Sequence, residues 1–122
     1  MKRLAMFALA AAMMPAMALA QSVEEGYPRG GLAVAAIERG DWTRAEALLN
    51  DGRVDRADPA RLINLGQVYA HTGREGEAVA AWRAALASNR HIQVETLGGR
   101  WVSTAQIARE ALARYETARA GN

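Results

Sequence analysis

The chain has 122 residues, of which 51% are hydrophobic and none is cysteine. This length suffices for one domain with its own core. The lack of cysteine excludes disulfide bonds, thiolate metal sites and a lipid-modified cysteine anchor. The formal charge is +2. Without Lys2 and Arg3, which belong to a predicted leader, 13 basic residues balance 13 acidic ones, so the charge gives no support for nucleic-acid binding.

Residues 1–20 have the pattern of a secretory signal peptide. A basic start is followed by a short apolar run, and Ala18 and Ala20 stand at the two positions that a signal peptidase recognises. We therefore predict cleavage after Ala20 and a periplasmic or secreted protein. The alternative is a retained anchor, but this Ala-rich run is at the lower limit of the roughly 17–25 residues that span a bilayer. We expect no stable membrane anchor after cleavage.

The next segment, residues 21–30, contains Pro28 and Gly30, and we predict a flexible lead-in there. Residues 31–122 carry apolar residues at helical spacing and form the predicted folded domain. Two short helices are expected before Gly52. Two longer helices follow, the first beginning at Asp58-Pro59, because Asp accepts hydrogen bonds from free first-turn amides and Pro suits the first helical position.

Residues 92–102 break the helical pattern. Apolar Ile92 and Val94 alternate with polar residues, and Gly98-Gly99 suits the turn of a β-hairpin. A lone hairpin is marginal unless it packs on another element, and we expect Trp101 to pack on the helix that follows. The alternative is an exposed Trp101 that anchors a partner.

The final predicted helix covers residues 103–120. Ser103 is followed three residues later by Gln106, and this spacing fits a capping box at the start of a helix.

Two stretches of the chain superpose at an offset of 33 residues. The stretch Gly40–Ala45 corresponds to Gly73–Ala78, and the same shift places Leu49 on Trp82. This self-similar helix-turn-helix pattern resembles the tetratricopeptide repeat, whose unit has about 34 residues. In the second unit, eight residues occupy positions where the family places its large or small packing residues: Leu62, Leu65, Gly66, Tyr69, Gly73, Ala78, Trp82 and Ala85.

The resemblance implies an all-α fold of about two helical hairpins, formed by units 26–58 and 59–92. Residues 92–102 would then be an inserted β-hairpin, and helix 103–120 would cap the array. The first unit matches the family less well, because Arg29 and Gly52 depart from its pattern. Arg90 departs too, since the family often has proline there.

The resemblance also implies a groove for another protein or peptide, lined by the first helix of each unit. We therefore expect an adaptor or scaffold, and the alternative for these positions is an ordinary solvated helix face. The positions carried over from the family are Val34, Ile37 and Glu38 in the first unit, and Ile63, Gln67, Ala70 and His71 in the second, with Asn64 beside them.

We predict no enzyme activity, no cofactor and no metal site. His71 and His91 are far apart in sequence without a carboxylate motif, and no serine lies in a nucleophile elbow. Two other hypotheses remain. One is a structural protein of the cell envelope that forms homo-oligomers through an uncovered apolar side of the first unit. The other is a small enzyme or metal-binding protein.

Overall fold

A computed structural model of the chain describes residues 26–95 and 100–121. Within these ranges the protein is mostly helical, as expected, and no helix is long and apolar enough to cross a membrane. The predicted signal peptide, residues 21–25 of the lead-in and the Gly98-Gly99 turn lie outside the described residues. In chain order the elements are α1 (Val34–Glu38), α2 (Trp42–Leu49), α3 (Pro59–His71), α4 (Glu75–Leu86), β1 (Gln93–Glu95), β2 (Trp101–Ser103) and α5 (Thr104–Ala120).

The second helical pair, α3 and α4, begins where the sequence predicts. The Asp58 carboxylate accepts hydrogen bonds from the amides of Ala60 and Arg61 at 2.9 and 3.1 Å, and Pro59 is the first residue of α3. Thr72 ends the helix. Gly73 then adopts a φ of +77°, a conformation that glycine takes without steric strain, and the chain turns back into α4.

The two helices of this pair touch at Gly66. A Cβ atom added to Gly66 would lie 2.6 and 2.7 Å from two carbon atoms of the Trp82 indole, well inside van der Waals contact. Trp82 is buried against this face of α3, and the small residues Ala78 and Ala85 are 1% and 0% exposed. Gly66 is therefore at a point of close contact between α3 and α4.

The first helical pair, α1 and α2, is much shorter, with 5 and 8 residues. The helical spacing of Leu32, Ala33, Ala36 and Ile37 predicts that its first helix begins at Leu32. Instead Leu32 is a buried loop residue, and the helix begins only after Ala33, which has a φ of +58°. Asn64 of α3 holds this loop, since its side-chain amide donates to the Leu32 carbonyl at 2.8 Å.

The end of α2 is held by Arg61, which is only 5% exposed. Its guanidinium donates to the Leu49 carbonyl at 2.7 Å, the Asn50 side chain at 2.8 Å and the Arg56 carbonyl at 3.0 Å. Because Leu49 ends α2, the positive charge lies at the negative end of that helix. Burial, together with the nearby charge of Arg56, lowers the pKa of Arg61.

Helix α5 packs on α4. Ile107 packs in the same apolar cluster as Ala85, near the end of α4, and Ala111 packs with Ala78, near its start. The two helices are therefore antiparallel, and the final helix packs along α4.

Only half of the predicted capping box at the start of α5 is formed. The Ser103 hydroxyl accepts a hydrogen bond from the Gln106 amide at 3.1 Å. The Gln106 side chain donates forward to Glu110 at 3.1 Å rather than back to Ser103.

The described part of the lead-in, residues 26–30, is attached to the domain, where we expected flexibility. The Tyr27 hydroxyl donates to the Asp58 carboxylate at 2.9 Å, and Arg53 donates to the Arg29 carbonyl at 2.8 Å. Burial and the hydrogen bond to Asp58 raise the pKa of Tyr27. This segment is thus fixed beside the start of α3.

The predicted hairpin is present as two antiparallel strands, with Val94 opposite Val102. These two side chains are 2% and 6% exposed and join the apolar cluster that contains Ile63 and Ile107. The hairpin is therefore packed on the helices through its valines, which supplies the support that a two-stranded sheet requires.

Candidate functional site

Two of the predicted groove residues are inside the protein. Ile63 and Asn64 are each 3% exposed. Ile63 packs in the core with residues of α4 and α5, and the Asn64 side-chain amide donates a hydrogen bond to the Leu32 carbonyl. The prediction that they contact a partner is wrong, because α3 lies between the first helical pair, α4 and α5, and this part of its surface is covered.

The other residues carried over from the family are divided between core and surface. Val34 and Ile37 of α1 are buried, at 5% and 1% exposure. Gln67 is half-buried, and Glu38 and Ala70 are exposed. Only a narrow strip of the predicted groove is therefore accessible.

His71 is accessible, but one face of its ring is occupied. The imidazole stacks on the Trp42 indole with ring centres 4.3 Å apart and planes 9° apart. Burial lowers the pKa of His71, so the neutral imidazole is favoured in this stack. The last residue of α3 is thereby joined to the first residue of α2.

An ion pair beside this stack joins α2 to the turn between α3 and α4. Arg74 donates from both terminal nitrogens to the Glu46 carboxylate, and its guanidinium lies 4.6 Å from the ring centre of Tyr69. Hydrogen bonding from Arg74 lowers the pKa of Glu46. A cavity of about 420 Å³ adjoins the pair, with Trp42, Thr43, Ala47, Asn50 and Thr72 completing its lining. These residues hold α2 against the turn between α3 and α4.

Trp101 is on the outside of the hairpin. It is 60% exposed, whereas its neighbour Val102 is 6% exposed. Successive side chains of a strand point to opposite faces, so the burial of Val102 places Trp101 in solvent. The expectation that Trp101 packs on the final helix is wrong, and the exposed arrangement given as the alternative is present.

The predicted binding residues do not form one site. Trp101 lies next to the start of α5, whose first turns pack beside Ile63 in the first half of α3, whereas His71 is the last residue of α3. At 1.5 Å per residue, a helix of 13 residues is about 20 Å long. Trp101 and His71 are therefore at opposite ends of the helical layer.

A larger cavity, which the sequence did not indicate, has a volume of about 620 Å³ and lies at the hairpin end of α3 and α4. Its walls come from two loops that are far apart in the sequence, so no single motif marks it. Its lining consists of Asp55, Arg56, Ala57, Asp58, Pro59, Leu62, Ala84, Ala87, Ser88, Asn89 and Arg90. With two acidic and two basic side chains, it has no dominant charge.

Among the described residues, no group of three or more histidines and carboxylates is placed to hold a metal ion. No family model matches the chain, and neither a curated protein nor a solved structure is significantly similar to it.

Proposed function

We propose that this protein is an exported protein-protein interaction module, an adaptor or scaffold built from tetratricopeptide-like helical hairpins. The observation that carries the proposal is the exposed Trp101, at 60%, on a hairpin that packs firmly on a helical layer. Large aromatic side chains are enriched among the residues that dominate binding energy at interfaces. A rigid support reduces the entropy lost when such an anchor binds.

The close packing of α3 and α4 supports the repeat part of the proposal. Tetratricopeptide-like hairpins place small residues where their two helices touch, and here Gly66 contacts Trp82. Helix α5 follows α4 in the place where a further unit would begin. Its outer residues include Arg109, Glu110 and Arg114, which are exposed and charged, as a terminal helix of a repeat array requires.

Export is the second part of the proposal, and it rests on residues 1–20. The intact mass of the protein recovered from the periplasm or medium tests this part. We expect the mass of residues 21–122. Recovery of the uncleaved chain in the membrane fraction would contradict it.

Site-specific photo-cross-linking in the producing cell tests the binding function. A photoreactive residue replaces Gln93, which is exposed beside Trp101, or Gln67 on the accessible strip of α3. The matched control replaces Arg114 on the outer side of α5. We expect a discrete cross-linked complex from Gln93, with a partner that binds again when both proteins are purified. No complex from Gln93 or Gln67, or the same complexes from Arg114, would refute the proposal.

The described residues do not favour self-association through the first unit. That hypothesis required an uncovered apolar side, yet the large apolar residues Leu32, Ile37 and Leu49 are at most 2% exposed. Trp101 is the only large apolar side chain that is exposed within the described ranges. An adaptor is therefore the better-supported function.

A further inference from the structure

The backbone hydrogen bonds show which groups of β2 face away from β1. The Thr104 amide donates to the Ile92 carbonyl at 2.9 Å, and the Ile92 amide donates to the Thr104 hydroxyl at 3.2 Å. The amide and carbonyl of Ile92 therefore both face Thr104, as in a hydrogen-bonded pair. Such pairs alternate along an antiparallel ladder, which makes Val94 and Val102 the next one. The amide and carbonyl of Trp101 therefore point away from β1, towards the outer edge of β2.

The same residue also carries the exposed side chain. Val102 is 6% exposed and faces the core, and Trp101 is 60% exposed on the opposite face. The sheet has two strands in the described ranges, with β2 at one edge. Position 101 thus combines an outward-pointing backbone with a large apolar side chain, the two features that a strand-binding site uses.

We propose that the outer edge of β2 binds an extended peptide segment of another protein by strand addition, with Trp101 as the side-chain anchor. This inference rests on the proposed binding function and specifies how the partner is held. Aromatic and β-branched side chains form the favourable cross-strand pairs with an aromatic residue. The partner segment therefore carries such a residue next to Trp101 and has no proline there, because its own amide must donate to β2.

The amount of exposed apolar surface argues against a second folded copy as the occupant. An aromatic side chain buries about 150–250 Å², whereas a stable interface between folded proteins buries about 1,200–2,000 Å². Trp101 is the only large apolar residue exposed in the described part of the chain. An extended peptide needs less apolar contact, since main-chain hydrogen bonds contribute to its affinity.

The test uses an array of synthetic heptapeptides in which threonine alternates with valine, isoleucine, tyrosine or phenylalanine. A matched array carries methyl groups on all internal backbone nitrogens. The purified protein should bind members of the first array and none of the second. Amide hydrogen exchange of the wild-type protein with a bound peptide should then slow at Trp101 and Ser103, whereas exchange at Gln93 should not change.

Three variants separate the side chain from the edge. Trp101→Ala removes the anchor and should weaken binding about tenfold or more. Trp101→Pro also removes the outward amide and should abolish binding. The matched control is Gln93→Pro, because the same alternation makes the Gln93 amide point to the opposite edge of the sheet. The affinity of this variant for the peptides should stay within about twofold of wild type.

Three results would overturn the inference. They are equal binding to the methylated array, an equal loss of binding in Gln93→Pro and Trp101→Pro, and no change of amide exchange at Trp101 when a peptide binds. Dimerisation that Trp101→Pro abolishes would instead identify a second copy as the occupant. If a partner cross-linked from Gln93 still binds the Trp101→Pro variant, strand addition is refuted but the binding function is not. Failure of both experiments would refute the binding function itself.

Discussion

The two helical pairs of this protein are held in different ways. Helices α3 and α4, of 13 and 12 residues, pack through close apolar contact, with the Trp82 indole against Gly66. Helices α1 and α2, of 5 and 8 residues, are too short to be stable without such support. Side chains of α3 hydrogen-bond to their ends and loops, Asn64 to Leu32 and Arg61 to Leu49.

This difference indicates how a short helical pair can remain folded beside a regular one. The longer pair provides an apolar surface, and polar groups from that surface satisfy the last carbonyl of α2 and a loop carbonyl just before α1. The first pair should therefore be sensitive to the loss of single hydrogen bonds. The second pair should be sensitive to changes in side-chain volume.

The largest effect is expected from Arg61→Met. Arg61 makes three hydrogen bonds to the end of α2 and the loop behind it, and its loss leaves the buried Leu49 carbonyl without this donor. We expect the free energy of unfolding to fall by about 3 kcal/mol. Urea denaturation measures it. The control Arg109→Met, on the exposed side of α5, should change it by at most about 0.5 kcal/mol, and equal effects would contradict the assigned role.

A volume change in the second pair should have the next largest effect. Gly66→Ala places a Cβ against the Trp82 ring and should cost about 2 kcal/mol, despite the higher helix propensity of alanine. Gly76→Ala is the matched control, because nothing lies within 4 Å of an added Cβ at Gly76 in α4. It should stabilise by about 0.5–1 kcal/mol. Thermal unfolding measures the stability of both variants. A Gly66→Ala variant that is more stable than wild type would disprove the close contact.

Asn64→Leu should act locally on the first pair. It removes the donor to the Leu32 carbonyl and should cost about 1 kcal/mol. Amide exchange should become faster in residues 33–41 and stay slow in α4. Gln67→Ala, a change in the half-buried part of the same helix, serves as the control. Faster exchange throughout the domain would show that the first pair has no separate stability.

The smallest effect concerns pH and the junction between the pairs. The pKa of His71 is lowered from 6.5 by burial, so the unfolded chain takes up a proton before the folded one does as the pH falls. The free energy of unfolding should decrease from about pH 7 towards the folded pKa and then level off. His71→Phe keeps a ring on Trp42 without a titrating group and should flatten this change. Parallel stability curves between pH 5 and 8 would exclude a contribution from His71.

Much of the helical organisation could be predicted from sequence because its signals are local. Asp58-Pro59 and Ser103 act within one turn of the backbone, and each begins a helix as predicted. The resemblance to the tetratricopeptide repeat also places Gly66 among the packing residues, and Gly66 does lie in close contact with Trp82. The length of α1 could not be predicted, because Leu32 and Ala33 have helical spacing but lie in a loop held by Asn64.

The candidate site was harder to predict because it depends on which surfaces the fold covers. Ile63 and Asn64 were expected in a groove, but α3 is packed on several sides and both are buried. Trp101 was expected on the final helix, but the phase of β2 places Val102 inside instead. The cavity beside Asp55 and Arg90 joins loops that no local pattern relates.

The sequence alone therefore determined the order of the helices, their caps and the position of the hairpin, because backbone hydrogen bonding and helical periodicity act between near neighbours. Only the tertiary structure determined which face of α3 is buried, and that Arg61 is buried while Trp101 is exposed. These outcomes depend on contacts such as that between Asn64 and Leu32, 32 residues apart. Such contacts arise only when whole elements pack, and they determine the surface that a partner could reach.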